Sequence, residues 1–190
     1  MRGTDRGFVV TVEVVPSSPH WPHSFERVAT TLRTALTDVP SAAVEHVGST
    51  AVPGLAAKPV IDIDVIVDGD DAPAAMAVLG ALGYVHLGDL GVTDREAFEA
   101  PDEDPPRNVY VCQRGALSVR NHLAVRRVLR ARADLRDEYG AVKLMLAADP
   151  TMDIDTYTAR KSGVLRKVLA AAQLSAEERR QILELNDPSA

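Results

Sequence analysis

A single cysteine, Cys112, stands in a chain of 190 residues. Neither an intramolecular disulfide nor a cysteine-based zinc cluster can therefore form, and a reducing compartment fits best. Aromatic residues make up only 4%, which leaves few platforms on which bases could stack. Positive charge is also scarce: 21 lysines and arginines face 27 acids, for a net charge of −6. A chain so balanced lacks the basic footprint that neutralises a nucleic-acid backbone, and nucleic acid is disfavoured as a partner. A small anion held by a local cluster and a metal ion stays open. No stretch approaches the roughly 20 apolar residues of a membrane span, and the start of the chain lacks the apolar core of a signal peptide. A cytoplasmic protein with no membrane partner is expected. What is present is 46% hydrophobic residues, enough for one substantial core. The expected organisation is one domain over 1–190, with a core about 8–115 and a helical C-terminal part about 117–186.

Valine-rich Phe8 to Val15 predicts a strand, broken by Pro16-Ser17-Ser18-Pro19. Phe25, Val28, Leu32 and Leu36 then recur at helical intervals, with Pro22 suited to a first turn. Val44 to Val47 predicts a short strand that runs into Gly48-Ser49-Thr50, and Val60 to Val67 is the strongest strand signal in the chain. A helix with Met76, Leu79 and Leu82 follows, then strands over Tyr84–Leu87 and Asn108–Cys112. The segment 88–107 between them is poorly legible, with room for a short strand around Glu96–Phe98. From Val119 the pattern is helical, with stripes at Leu135, Tyr139, Val142, Leu146 and at Tyr157, Lys161, Val164, Val168. Ser175 and Glu178 make a capping-box pattern for a last helix.

Alternation along 60–67 turns Asp62 and Asp64 to one face and Ile61, Ile63, Val65 and Val67 to the other. Two carboxylates so placed can share a divalent cation, which in turn can bridge nucleotide phosphates. A bare D-x-D is common and by itself reads as an exposed strand face. Within the most hydrophobic strand of the chain, however, paired like charges are costly unless a cation or hydrogen bonds compensate. Gly48, Ser49 and Thr50 lie just upstream at another strand end, where small residues let backbone and hydroxyl groups approach phosphate oxygens. The glycines and lysine of 48–58 do not make a P-loop. Lys58 is followed by Pro59 and a strand, where a P-loop needs Ser or Thr and a helix N-terminus.

The run from Glu45 through Gly48-Ser49-Thr50-Ala51-Val52-Pro53-Gly54-Leu55-Ala56-Ala57-Lys58-Pro59 to Asp62-Ile63-Asp64 closely resembles the signature of the GrpB-like protein family. Pro19-His20-Trp21-Pro22, Gly88-Asp89-Leu90-Gly91, Arg95-Glu96-Ala97-Phe98, Asn108–Cys112, Arg120–Ala124 and Tyr157–Ser162 are similar to its other blocks. The resemblance covers about 8–170. It implies an α+β fold of the polymerase-β nucleotidyltransferase type, a small mixed sheet with packed helices and a helical C-terminal part. It does not imply a known reaction; the leading reading of the residues takes Asp62 and Asp64 as catalytic metal ligands for Mg2+. Gly48, Ser49 and Thr50 would hold a nucleoside triphosphate, with Lys58, His122, Arg126, Tyr157 and Lys161 as further substrate-binding residues. A nucleoside monophosphate would pass to an acceptor that the sequence does not identify. Active enzymes of this type add a third carboxylate from a neighbouring strand, yet the matching strand offers Asn108, Tyr110 and Cys112 on one face and valines on the other. Asp89, Glu96 or Glu99 are the available substitutes. The alternative is a non-catalytic protein that binds a nucleotide or phosphometabolite, with a link to dephospho-CoA kinase and coenzyme A biosynthesis suggested by relatives joined to that enzyme.

Several residues carry two readings. Lys161 either enters the cleft or snorkels from an apolar stripe. His122 and Arg126, four apart, either bind an anion or ribose or form an ordinary solvated helix face. For His46 a hydrogen-bonded structural role outweighs a general base, and Cys112 reads as a small buried hydrophobe. Oligomeric state is not legible.

Overall fold

The computed structural model describes residues 13–149 and 154–186. Its elements run α1 (Trp21–Ala35), β1 (Ala43–Val47), β2 (Ile61–Val67), α2 (Ala72–Ala81), β3 (Val85–Gly88), β4 (Arg95–Glu99), β5 (Arg107–Gln113), α3 (Leu117–Ala131), α4 (Ala133–Ala147), α5 (Ile154–Ala170) and α6 (Ala176–Asn186). The expected strand over Phe8–Val15 falls mostly outside the described residues. Val15, at its end, makes an isolated antiparallel bridge to Ala57.

The five strands form one mixed sheet in the order β1-β2-β5-β4-β3, with β2 antiparallel to β1 and parallel to β5. Alternation then sorts the side chains. Ile61, Ile63, Val65, Val67, Val109 and Val111 face one way and are buried against Trp21, Phe25, Val28 and Leu32 of α1 and Ala75 and Leu79 of α2. Pro22 sits in the first turn of α1, where its missing N–H costs nothing. The other face carries Asp62, Asp64 and Ile66. There α3 packs through Val119 and Ala116 against Ile66 and Cys112.

Helices α3 to α6 share a second apolar cluster in which Leu129, Leu135, Tyr139, Val168, Leu169 and Ile182 surround Val52 and Leu55 of the loop after β1. This loop ties the helices to the sheet. Helix α4 runs along it at Gly140, where a β-carbon would make ordinary contact with Leu55 and Ala56 at 3.5–3.8 Å. The capping box is formed in full: the Glu178 N–H donates to Ser175 Oγ at 3.2 Å and the Ser175 N–H donates to Glu178 Oε2 at 2.7 Å.

The illegible segment 88–107 contains a real strand, β4, paired with β3 and β5. Its ordering is tertiary. Arg107 holds the loop by donating to Asp102 Oδ1 at 2.8 Å and Oδ2 at 3.0 Å and to Tyr84 at 2.9 Å. No described helix is long and apolar enough to cross a membrane.

Candidate active site

Asp62 lies on β2 between Val47 of β1 and Asn108 of β5. Its Oδ1 accepts a hydrogen bond from Asn108 Nδ2 at 2.8 Å. Its other oxygen rests against Gly48, where a β-carbon would stand 2.1 Å from Asp62 Oδ2. Gly48 has φ +69° and ψ −168°, a conformation essentially reserved for glycine. Glycine is thus required twice, by backbone geometry and by the carboxylate beside it. Although Asp62 keeps a partly exposed edge, burial pushes its pKa up, opposed by the Asn108 hydrogen bond and the charges of His122 and Lys161.

Asp64, two residues on, is fully buried. Its Oδ2 lies 2.8 Å from His122 Nδ1, and its Oδ1 has no protein partner among the described residues. Burial works against a charged His122, but the charge and hydrogen bond of Asp64, aided by Asp62, raise its pKa overall. Asp64 thus favours the protonated form of His122, in which the ring nitrogen donates to the carboxylate. Two carboxylates on one strand face, one of them with an oxygen that no protein donor satisfies, fit one hard divalent cation. Mg2+ commonly takes one or two protein carboxylates and fills its remaining positions with water and phosphate oxygens.

Among the described residues, a third carboxylate does not join them. No group of three or more potential metal ligands occurs among the described residues. Asn108 occupies the adjacent position on β5. Glu96 points to the opposite face of the sheet, aligned with Val111, and pairs with His86 at 2.6 Å. Asp89 accepts from the Gly91 N–H at 2.8 Å in a turn. Glu99 shares the face of the Asp pair but is exposed at the end of β4.

Positive charge gathers from separate parts of the chain. Lys143 of α4, a residue that the sequence reading passed over, is 3% exposed. Its Nζ donates to Ser49 Oγ at 2.9 Å and stands 4.7 Å from the centre of the Tyr139 ring. Burial, with help from the charge of Lys161, lowers its pKa to about 7, while Asp62 opposes the shift. Lys161 of α5 is also lowered, by burial and then by Lys58, and Lys58 by burial, with Asp62 again opposing in both. Three lysines thus share an electrostatic neighbourhood with Asp62. Lys143 could have been suspected, since it sits four residues after Tyr139 and three before Leu146 on a buried stripe.

Other expected site residues are placed elsewhere. Thr50 is buried, donating to the Val60 carbonyl at 3.2 Å and lying 3.0 Å from His46 Nε2. His46 stacks on Phe25 with ring centroids 4.5 Å apart, and burial followed by the charges of Arg130 and Arg126 lowers its pKa to about 4. It is a neutral structural histidine. Arg126 pairs with Glu45 at 2.9 Å and donates to the His46 carbonyl. It thus braces the outer edge of β1 and lines a cavity of about 700 Å³ there, together with Arg33, Arg130 and Thr50. The side chain of Tyr157 lies outside the described residues. Cys112 is buried, and burial pushes its thiol pKa up, as suits an inert side chain.

Comparison with known proteins agrees with this architecture. A UPF0157 protein of Halalkalibacterium halodurans is 33% identical over 164 residues, spanning 85% of this chain and 83% of that protein. The crystal structure of the conserved protein GrpB from Enterococcus faecalis superposes with a TM-score of 0.71 at 30% identity, covering 84% of this chain and 98% of that one. A structure of the Cid1 poly (U) polymerase with Mg 3'-dATP bound superposes with a TM-score of 0.54 at 16% identity, over 80% of this chain and 50% of that one. That likeness establishes a nucleotidyltransferase-like fold. The family model for GrpB protein matches residues 11–171, and the chain belongs to the GrpB family.

Proposed function

We propose that this protein is a Mg2+-dependent nucleotidyltransferase that transfers a nucleoside monophosphate from a nucleoside triphosphate to an acceptor. The observation that carries the reading is the convergence of Lys58, Lys143 and Lys161 on Asp62 and Ser49. Burial disfavours the charge of all three, Lys161 adds to this at Lys143 and Lys58 adds to it at Lys161. A triphosphate laid along Gly48–Ser49 would add negative charge beside these lysines and raise their pKa values.

Asp62 and Asp64 would hold the metal, whose chemistry is to neutralise charge on the phosphoryl oxygens. The chain's own groups do the rest. Gly48 leaves room beside the Asp62 carboxylate, and Ser49 and Lys143 orient phosphate oxygens. Asn108 holds Asp62 in one rotamer, and His122 does so for Asp64. Transfer replaces the α–β phosphoanhydride bond with a bond from the α-phosphorus to the acceptor's hydroxyl, amine or phosphate, pyrophosphate leaves, and any proton on the attacking atom passes to solvent. In such reactions positioning and charge stabilisation supply most of the rate.

Asn108 beside Asp62, where an acid would complete a carboxylate triad, favours a second reading: a nucleotide- or phosphometabolite-binding protein without turnover. A link to dephospho-CoA kinase belongs with it as a proposal, tested by co-purification. The decisive experiment is calorimetric titration of the four ribonucleoside triphosphates with and without Mg2+, on wild type and Asp62→Asn/Asp64→Asn, with each mixture assayed for pyrophosphate. Mg2+-dependent binding lost in the variant, with pyrophosphate released by wild type, supports the transferase. Binding without pyrophosphate supports the second reading, and identical metal-independent behaviour of both proteins would sink both.

A further inference from the structure

The cavity of about 700 Å³ beside β1 has no part in the proposed transfer. Because β1 ends the sheet, its outer edge faces away from β2 and the Asp pair, and the cavity runs along that edge between α1 and α3. Part of its wall is apolar, made by Pro19, Pro22, Phe25, Val44, Ala51 and Pro53. Three arginines supply the charge: Arg33 from α1, and Arg126 and Arg130, four residues apart on α3. A cavity of this size, with an apolar wall and a few convergent polar groups, has the usual form of a small-molecule site.

The carboxylates and carbonyls around the cavity are already engaged. Glu26 accepts from Arg33 Nη1 at 2.8 Å and Glu45 from Arg126 Nη1 at 2.9 Å. The carbonyls of Val44, His46 and Ala51 accept from Arg33, Arg126 and Arg130 in turn. With the Val44 and His46 carbonyls covered, a peptide strand cannot pair along this edge. Donors, by contrast, are left over. Arg126 makes its bonds through Nη1 alone and keeps Nε and Nη2, the guanidinium edge that grips a carboxylate by two parallel bonds, and Arg130 keeps Nη1.

The charges are uneven as well. Glu26 and Glu45 each pair with one arginine, while Arg130 pairs with no carboxylate among the described residues and is repelled by Arg126. His46 is neutral, and the remaining polar lining, Ser17, Ser18 and Thr50, carries no charge. Three cations against two carboxylates leave one positive charge, which a single negative charge on a ligand balances. A phosphate monoester carries about 1.5 to 2 negative charges near neutral pH and would overshoot beside Glu26 and Glu45. We propose that this cavity binds a small amphiphilic monocarboxylate, its carboxylate held by the free edge of Arg126 and by Arg130 Nη1 and its hydrocarbon body laid against Phe25 and the prolines. The site is separate from the proposed nucleotide cleft and does not depend on that reading.

4-Phenylbutyrate and octanoate are titrated into the full-length protein by calorimetry and thermal melting at constant ionic strength. Acetate serves as the headgroup alone, 4-phenylbutyramide as a body without charge and phenyl phosphate as a dianion. Saturable binding of at least one of the two carboxylates is expected, about tenfold or more tighter than each control. Arg130→Gln weakens it by about tenfold, the loss of one hydrogen bond between charged groups, and Arg126→Gln by more, since two such bonds go. Arg130 is exposed, so the fold of Arg130→Gln survives for the test even where Arg126→Gln, which releases Glu45, does not. Asp62→Asn keeps full carboxylate affinity whether or not it loses Mg2+-dependent nucleotide binding, so the two readings fail separately. No saturable binding of either carboxylate, or undiminished affinity in Arg130→Gln, would overturn the site. The amide or phenyl phosphate binding as tightly as the carboxylates would overturn the assignment to a monoanion, and acetate doing so would remove the role of the apolar wall.

Discussion

Replacing Gly48 by alanine should damage this protein more than any surface substitution, and the structure lets the damage be divided. The backbone at φ +69°, ψ −168° costs a non-glycine residue about 1–3 kcal/mol. The new methyl would lie 2.1 Å from Asp62 Oδ2 and 2.8 Å from its Cγ. Relieving that overlap must swing the carboxylate off Asn108 or shift β1 from β2, at a further cost of about 1–3 kcal/mol. The sum is about 2–6 kcal/mol, read from urea denaturation curves of wild type and Gly48→Ala. A double-mutant cycle with Asp62→Gly separates the two parts. Removing the Asp62 side chain abolishes the clash and leaves the backbone strain, so a favourable coupling of about 1–3 kcal/mol is expected. A Gly48→Ala variant destabilised by less than about 0.5 kcal/mol, or a cycle with no coupling, would refute the claim that glycine is held there by the carboxylate.

Three further outcomes follow from the same site. Lys143 has a folded pKa near 7 against 10.5 for the free side chain, so the unfolded chain binds more protons between those values. Stability should therefore rise with pH from about 7 to 10.5, and Lys143→Met should flatten that slope in thermal melts while weakening triphosphate binding by about tenfold or more. Asn108→Asp turns a donor to Asp62 into a third carboxylate. It should lower the melting temperature of the metal-free protein and make Mg2+ restore it, whereas wild type responds less to the ion. His122→Gln should cost about 3–5 kcal/mol in denaturant, because it strands the buried Asp64 charge. Since the His122 pKa is raised on folding, the stabilisation it gives is complete below about 6.5 and is lost as pH rises through the folded value. A pH–stability profile of His122→Gln lacking that decline checks the sign.

Much of this is legible in the sequence alone. Strand alternation alone placed Asp62 and Asp64 on one face and the valines and isoleucines on the other, because a strand's two-residue period is independent of what packs on it. The capping box at Ser175 and Glu178 is likewise a local event and formed as read. Segment 88–107 was not legible. Its strand β4 reads Arg95-Glu96-Ala97-Phe98-Glu99, without a clean apolar alternation, and is held by its neighbours in the sheet rather than by its own pattern.

For the site, the chain's order of residues determined the carboxylate pair, the glycine turn and the family. Each of these is a contiguous motif whose geometry is set within a few bonds. The sequence could not decide which cations face that pair. Arg126, which helical spacing left between an anion contact and a solvated face, is turned to Glu45 and the His46 carbonyl, while Lys143, hidden in an apolar stripe, reaches Ser49 from 94 residues away. Helical periodicity says which side chains share a face but not what that face meets. Only the packing of α4 along Leu55 and Ala56 brings a buried lysine beside the glycine turn, and that contact depends on the whole fold closing at once.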